Sequence, residues 1–223
     1  MSQTKMTRRN MWLLVATMSI AFSGLSSATA ATYDSPQACF DGAKTLVKNK
    51  DYKGFCQCLT PDSQNLMGGM FSMMPSMMKQ FAALGGDEGL KEFETKFAKI
   101  NQIIAASGIN TDDFPGMAEM QKLQQDEAKL REVFAKALAP VKDRAAYVAE
   151  LMVAYEALQD GQDGGPQFSA AVDGELKDIQ IDGDTATATL VLENEGEPQE
   201  QPLNFKKVDG SWLIDLPMSG PGG

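Results

Sequence analysis

The residues best suited to chemistry in this sequence are methionines gathered in one short stretch. From Asn65 to Phe81 the chain reads NLMGGMFSMMPSMMKQF, which places six methionines within twelve residues. Thioether sulfur is a soft ligand that suits copper(I), and adjacent turns of a helix could supply three or four such ligands. The candidate ligands of a soft-metal site are Met70, Met73, Met74, Met77 and Met78.

The same stretch also fits a packing role, because its apolar residues recur at steps of three and four. Such spacing places them on one side of a helix. The flexible thioether fills irregular gaps and adapts to more than one partner surface. We therefore predict a core-facing helix, with an exposed groove for a partner helix or lipid as the alternative. The groove would consist of Met67, Met70, Met74, Met77 and Phe81.

The three cysteines could form a disulfide or a thiolate metal site. Two short helical patterns, from Ser35 and from Tyr52, are joined by a short polar turn, so folding back would bring Cys39 near Cys58. We predict a Cys39–Cys58 disulfide, with Cys56 as the alternative partner. A zinc site is disfavoured, because Cys-x-Cys lacks the usual Cys-x-x-Cys loop and the chain has no histidine.

The absence of histidine also limits catalysis. Ser-His-Asp and Cys-His nucleophiles and histidine-bound zinc are excluded. A carboxylate base aided by Tyr147 or Tyr155 remains chemically possible, but the candidate carboxylates lie at turns or on polar strand faces, where solvation is expected. These carboxylates are Asp178, Asp182, Asp184 and Asp215. We expect no catalytic residue and no cofactor.

The first thirty residues have the pattern of a secretory signal peptide. Three basic residues precede an apolar run, and Ala28 and Ala30 form a small-x-small cleavage signature. The run, 11–25, is shorter than the roughly 20 residues that span a bilayer. We predict cleavage after Ala30 and a secreted or periplasmic protein with no membrane span. The general secretory route is favoured, and Arg8-Arg9 leaves the twin-arginine route open.

The charge of the chain restricts its partners. The formal net charge is −10, and loss of Lys5, Arg8 and Arg9 with the signal peptide changes it to −13. Phosphates would repel so acidic a chain, which argues against nucleic acid and anionic membranes as partners.

The elements that must position these residues fall into two regions. Helical spacing dominates 35–158, with helix starts at Ser35-Pro36 and Thr60-Pro61. Gly68-Gly69 and Pro75 should disturb the methionine helix, so we expect a kink or break near Ser72 to Pro75.

After a linker at 159–166 the pattern changes to the alternation of strands, 167–217, with turns at Asp182-Gly183 and Asp209-Gly210. We predict one α+β domain, 31–217, in which N-terminal helices pack on a small antiparallel meander and a large helical insertion lies between them. Residues 218–223 should form a disordered tail.

Both ends of the mature chain resemble the nuclear-transport-factor-2-like superfamily, which has a cystatin-like cone. The resemblance rests on the helix pair SPQACFDGAKTLVKNKDYKGFCQCLTPDSQ and on the strands IDGDTATATLVL and LNFKKVDGSWLIDL. It implies N-terminal helices packed into a curved antiparallel sheet. The superfamily includes isomerases, dehydratases and many binding modules, so the fold would not fix the function.

These observations predict an exported, non-catalytic binding or accessory protein for a protein partner or a small apolar ligand. A periplasmic copper(I) binder is the alternative, and an isomerase- or dehydratase-like enzyme is a more distant one.

Overall fold

The computed structural model describes residues 31–123, 126–159, 174–194 and 197–217. In this part of the chain the α-helices are α1 (Pro36–Lys48), α2 (Tyr52–Gln57), α3 (Pro61–Ala83), α4 (Gly86–Ala106), α5 (Met117–Leu123), α6 (Glu127–Ala137) and α7 (Arg144–Gln159), with a short 3-10 turn at Thr111–Asp113. The strands are β1 (Glu175–Asp182), β2 (Thr185–Asn194), β3 (Glu197–Val208) and β4 (Ser211–Asp215). None of these helices is both long and apolar enough to cross a membrane.

The helix starts follow from the capping residues in the sequence. Ser35 Oγ accepts a hydrogen bond from Ala38 N at 3.1 Å, and Thr60 Oγ1 accepts one from Ser63 N at 3.2 Å. A proline follows each cap, where its missing N–H costs nothing. Both predicted helix starts are confirmed.

The four strands form an antiparallel meander in the order β1-β2-β3-β4. Gly183 has a φ of 59° and Gly210 a φ of 86°, the left-handed conformation that two-residue hairpin turns require. The connector between α2 and α3 extends the sheet, because Thr60 N donates to Ile214 O and Ile214 N donates to Cys58 O. The chain is therefore an α+β protein with N-terminal helices and C-terminal strands, as predicted.

Two main groups of buried side chains stabilise this arrangement. One lies between α1, the α2–α3 connector and the inner face of the sheet, and includes Phe40, Leu59, Phe205 and Trp212. The other lies among α2, α3, α4 and α7. Helix α3 contacts members of both groups, so its placement decides how the sheet and the helices meet.

Helix α3 is continuous from Pro61 to Ala83, so the break expected near Ser72 to Pro75 does not occur. Pro75 has no N–H to donate to the carbonyl of Phe71 one turn earlier. The hydroxyl of Tyr155, on α7, donates to that carbonyl at 2.7 Å. A side chain from a neighbouring helix thus replaces the hydrogen bond that proline removes.

The paired glycines of α3 allow two helices to approach it closely. A Cβ added to Gly69 would lie 2.6 Å from Cδ1 and Cγ of Phe134, on α6. A Cβ added to Gly68 would lie 3.0 Å from Leu138 and 3.3 Å from Val148. A methyl group at Gly69 would require the Phe134 ring to shift, and one at Gly68 would require its neighbours to move by a few tenths of an ångström, so both glycines serve packing despite their low helix propensity.

Several predicted features lie outside the described residues. They are the signal peptide 1–30 with its cleavage residues Ala28 and Ala30, most of the linker 159–166, the start of the strand region before Gly174, and the tail 218–223.

Candidate functional site

The most distinctive surface of the described chain is an apolar face on the C-terminal half of α3. Met70 is 51% exposed, Met78 43%, Phe81 58% and Leu84 86%. Met74 and Met77 lie between them and are half-buried. We call the set Met70, Met74, Met77, Met78, Phe81 and Leu84 the methionine face.

The core side of α3 is formed by different residues from those expected. Gly68, Gly69 and Ser72 are buried against α6 and α7, Pro75 is also buried, and of the six clustered methionines only Met73 is buried. The prediction of a core-facing methionine row therefore holds only in part. Met67 and Met74 are half-buried and pack against the core, whereas Met70, Met78 and Phe81 are largely exposed.

The surroundings of the methionine face are poor in charge. Between Pro61 and Ala83 the only charged residues are Asp62 and Lys79, in a chain that is 22% charged overall. Asp62 lies in the first turn of α3, far along the helix from Phe81. Charges become dense again only at the start of α4, with Asp87 and Glu88.

The predicted copper ligands are not all available on one surface. Met70, Met74, Met77 and Met78 share the partly exposed side of α3, whereas Met73 belongs to the buried side. Four thioethers within nine residues therefore remain as candidate soft ligands, and the fifth does not.

The expected disulfide is absent. The three cysteines all lie in the described part of the chain and all are buried thiols, so neither the Cys39–Cys58 pairing nor the Cys56 alternative is present. Cys39 and Cys58 are neighbours, as predicted, but Cys39 Sγ donates to Cys58 O at 3.7 Å and Cys58 Sγ donates to Tyr33 Oη at 3.4 Å. Cys56 lies against Met152 Sδ at 3.9 Å in the helical core.

Contact between two thiols shifts their acidities in opposite directions. The hydrogen bond with Cys39 lowers the pKa of Cys58, while the same contact and burial raise the pKa of Cys39. Burial raises the pKa of Cys56 to about 12. Of the three, Cys58 is the most readily ionised.

Two open cavities lie away from α3. One of about 510 Å³ is beside Cys58 and is lined by Tyr33, Asp41, Leu46 and Asp51 among others. The other, of about 490 Å³, lies between α5 and α6. Both are shallow and partly polar, and no residue of the methionine face lines either one.

A carboxylate that sequence reasoning assigned to solvent is in fact buried. Asp215 Oδ1 accepts hydrogen bonds from Thr60 Oγ1 at 2.9 Å and Arg131 Nη1 at 3.4 Å, and Oδ2 lies 2.8 Å from Lys206 Nζ. Burial by itself would raise the pKa of Asp215, but the bonds from Lys206 and Thr60 and the charge of Arg131 hold it below its ordinary value. Strict alternation along β4 would place Asp215 on the opposite face from the buried Ile214, so no local sequence signal marks its burial.

The remaining groups proposed for acid or base chemistry are exposed or engaged in structural contacts. Asp178, Asp182 and Asp184 are exposed, as expected. Tyr147 shares a 2.6 Å hydrogen bond with Ser72, and Tyr155 donates to α3 as described above. Burial raises the pKa of both tyrosines. Both hydroxyls thus support α3.

No protein-family model, curated protein or solved structure matches the chain. Its function must therefore be inferred from the arrangement of its own residues.

Proposed function

We propose that the chain is an exported, non-catalytic binding protein and that the methionine face is the surface it uses. The single observation that carries this proposal is the exposure of Met70, Met78, Phe81 and Leu84 together on one helix. Scattered apolar residues are common on protein surfaces, but contiguous patches of this kind mark interaction sites. Export is supported by the sequence of residues 1–30.

The shape of the face favours a protein partner over a small ligand. The row is an open helix surface, and the two cavities described above lie elsewhere. Small apolar ligands bind in concave sites that enclose most of their surface. An open row of methionines instead suits the apolar side of another helix, because the flexible thioether adapts to different shapes.

Site-specific photocrosslinking tests this proposal. A photoreactive phenylalanine analogue replaces Phe81 in one variant and Thr95, an exposed residue of α4, in a matched control. In the cells that produce and export the protein, we expect a discrete crosslinked adduct from position 81 and none from position 95. Equal labelling from both positions, or no adduct from position 81, contradicts the proposal.

The four accessible thioethers support copper(I) binding as a second candidate function. Native mass spectrometry of the exported protein under reducing, oxygen-free conditions tests it. One bound copper that is lost in the Met74→Leu, Met77→Leu, Met78→Leu triple variant supports this function, since leucine conserves volume but cannot coordinate. A metal-free mass in the presence of copper(I) excludes it.

A further inference from the structure

We infer that the partner of the methionine face is a second copy of this chain, packed antiparallel so that the two α3 helices face each other. This inference rests on the proposed function, because it names the occupant of the same surface. The spacing of residues in the methionine face, the charge around it and its exposed apolar area each support this dimer.

The spacing of the methionine face matches a helix-pairing seam. Met70, Met74, Met77, Phe81 and Leu84 are separated by four, three, four and three residues, the repeat of a two-helix coiled coil. At 1.5 Å per residue the row is about 21 Å long. Its centre is close to Met77, so a two-fold axis beside that residue places Met70 of one copy near Leu84 of the other, and Met74 near Phe81. An isologous interface needs this kind of self-complementary surface.

The charge distribution allows two such acidic chains to meet at this surface. A net charge of −10 favours mutual repulsion, so an interface between copies must avoid the acidic regions. The exposed positions that flank the seam include Met78 and Gln80, which carry no charge. Lys79 is the only charge between Ser63 and Ala83, and it lies on the opposite side of the helix from Met77.

The exposed apolar area is large enough for a specific pair. With about 200 Å² for a fully exposed large side chain, the exposed fractions of Met70, Met78, Phe81 and Leu84 correspond to roughly 500 Å² per copy. Two copies would bury roughly 1,000 Å², the size at which specific interfaces begin. The half-buried Met74 and Met77 add to this area.

A lipid surface fits the same face less well. Membrane-bound amphipathic helices flank their apolar side with lysine and arginine. Here the adjacent turn carries Asp87 and Glu88, and α3 offers Lys79 alone. Acidic residues beside an apolar face disfavour contact with anionic lipid.

Solution mass measured by light scattering across a range of chain concentrations tests the dimer. We expect the exported chain to have twice the chain mass at about 100 μM, and Phe81→Glu to weaken association at least about tenfold, because a charge would be buried in the seam. Leu84→Glu, at the most exposed residue, is a second variant that spares the fold. Ala98→Glu, on the exposed side of α4, is the matched control and should remain dimeric.

A cysteine crosslink tests the position of the axis. Met77→Cys should give a disulfide-linked dimer under mild oxidation, because two copies of residue 77 meet at the axis. Ser76→Cys, exposed one residue earlier and pointing away from the seam, should not. The three native thiols are buried, which keeps the background low.

A wild-type chain that stays monomeric at about 100 μM overturns the dimer, as does a dimer that both glutamate variants leave intact. The photocrosslinking experiment separates this outcome from failure of the proposed function. An adduct of twice the chain mass at position 81 supports both ideas, and an adduct of another mass keeps the binding function while overturning self-association. Binding of the monomer to phosphatidylcholine vesicles that Phe81→Glu abolishes would also overturn the dimer.

Discussion

Tyr155 shows how one side chain can maintain a helix through an internal proline. Its hydroxyl donates to the carbonyl of Phe71, the group that the residue at position 75 would normally reach with its N–H. The hydrogen bond is buried, so its loss would leave a polar group without compensation in the core. The contact therefore stabilises α3 at the position where the sequence predicts a break.

A double-mutant cycle tests whether the Tyr155 hydroxyl takes the place of the backbone N–H that Pro75 lacks. Tyr155→Phe should lower the free energy of unfolding by about 1–3 kcal/mol in the wild-type background. In the Pro75→Ala background the cost should be smaller, because the backbone N–H of residue 75 then donates to Phe71. Urea denaturation measures all four chains. Tyr147→Phe is the control, since its bond goes to Ser72 and its cost should be equal in both backgrounds.

At the scale of single residues, the sequence predicts contacts with nearby backbone better than it predicts burial and long-range side-chain partners. The caps Ser35 and Thr60 could be identified because they act on backbone three residues away. The neighbourhood of Cys39 and Cys58 was also predictable from two helices and a short turn. The absence of their disulfide and the burial of Asp215 were not, because both depend on partners that are distant in the sequence.

The two sides of α3 show why a periodic pattern does not by itself identify the buried face. Steps of three and four residues identify a stripe, but they do not say whether the core or solvent lies against it. The methionines suggested a core-facing row, whereas the buried side of α3 combines Leu66, Phe71 and Met73 with small residues that let α6 and α7 approach. A hydrophobicity pattern does not reveal such an interface, because two helices can pack closely where one of them has glycine and therefore no side chain.

Gly69→Ala tests this assignment of the packing side. The added methyl group would overlap the ring of Phe134, which is fully buried, so we expect a loss of about 1–3 kcal/mol in the free energy of unfolding. Ser76→Ala, at an exposed position of the same helix, should change it by less than about 0.5 kcal/mol. Thermal and urea unfolding provide the measurement. A stabilised Gly69→Ala chain would mean that helix propensity outweighs the contact with α6.

In the whole molecule, Asp215 connects the sheet to the helical body. It is the last residue of β4, and it contacts the start of α3 through Thr60, α6 through Arg131 and β3 through Lys206. Arg131 also donates to Leu216 O at 2.8 Å, and Leu216 N donates to Ser63 Oγ at 2.8 Å. These hydrogen bonds and ion pairs connect the end of β4 to α3 and α6.

The stability of this junction should depend on pH. The folded pKa of Asp215 is lowered, so its contribution is fully present above the unfolded value of about 3.8 and is lost as the pH falls through the folded pKa. Asp215→Asn should cost about 2 kcal/mol near pH 7, and its difference from wild type should shrink below about pH 4. Denaturant unfolding at several pH values measures this difference. Asp184→Asn, exposed at a turn, should show neither effect.

The architecture was predictable because each of its signals is local. The Asp-Gly turns, the alternation of the strands and the helix caps all act within a few residues, and together they determine an α+β chain. How the strands and helices meet depends on Asp215, Tyr155 and the two glycines, which no local pattern reveals. The resemblance to the nuclear-transport-factor-2-like superfamily stays a prediction.

The exposure of Met70 and Met78 has a chemical consequence. Oxidants reach accessible thioethers first, and methionine sulfoxide is polar where methionine is apolar. A single oxygen atom on either sulfur would place a strong dipole within the apolar seam, while the buried Met73 and Met152 would be spared. In an oxidising compartment, association through this helix would therefore become sensitive to peroxide, and a sulfoxide reductase could restore it.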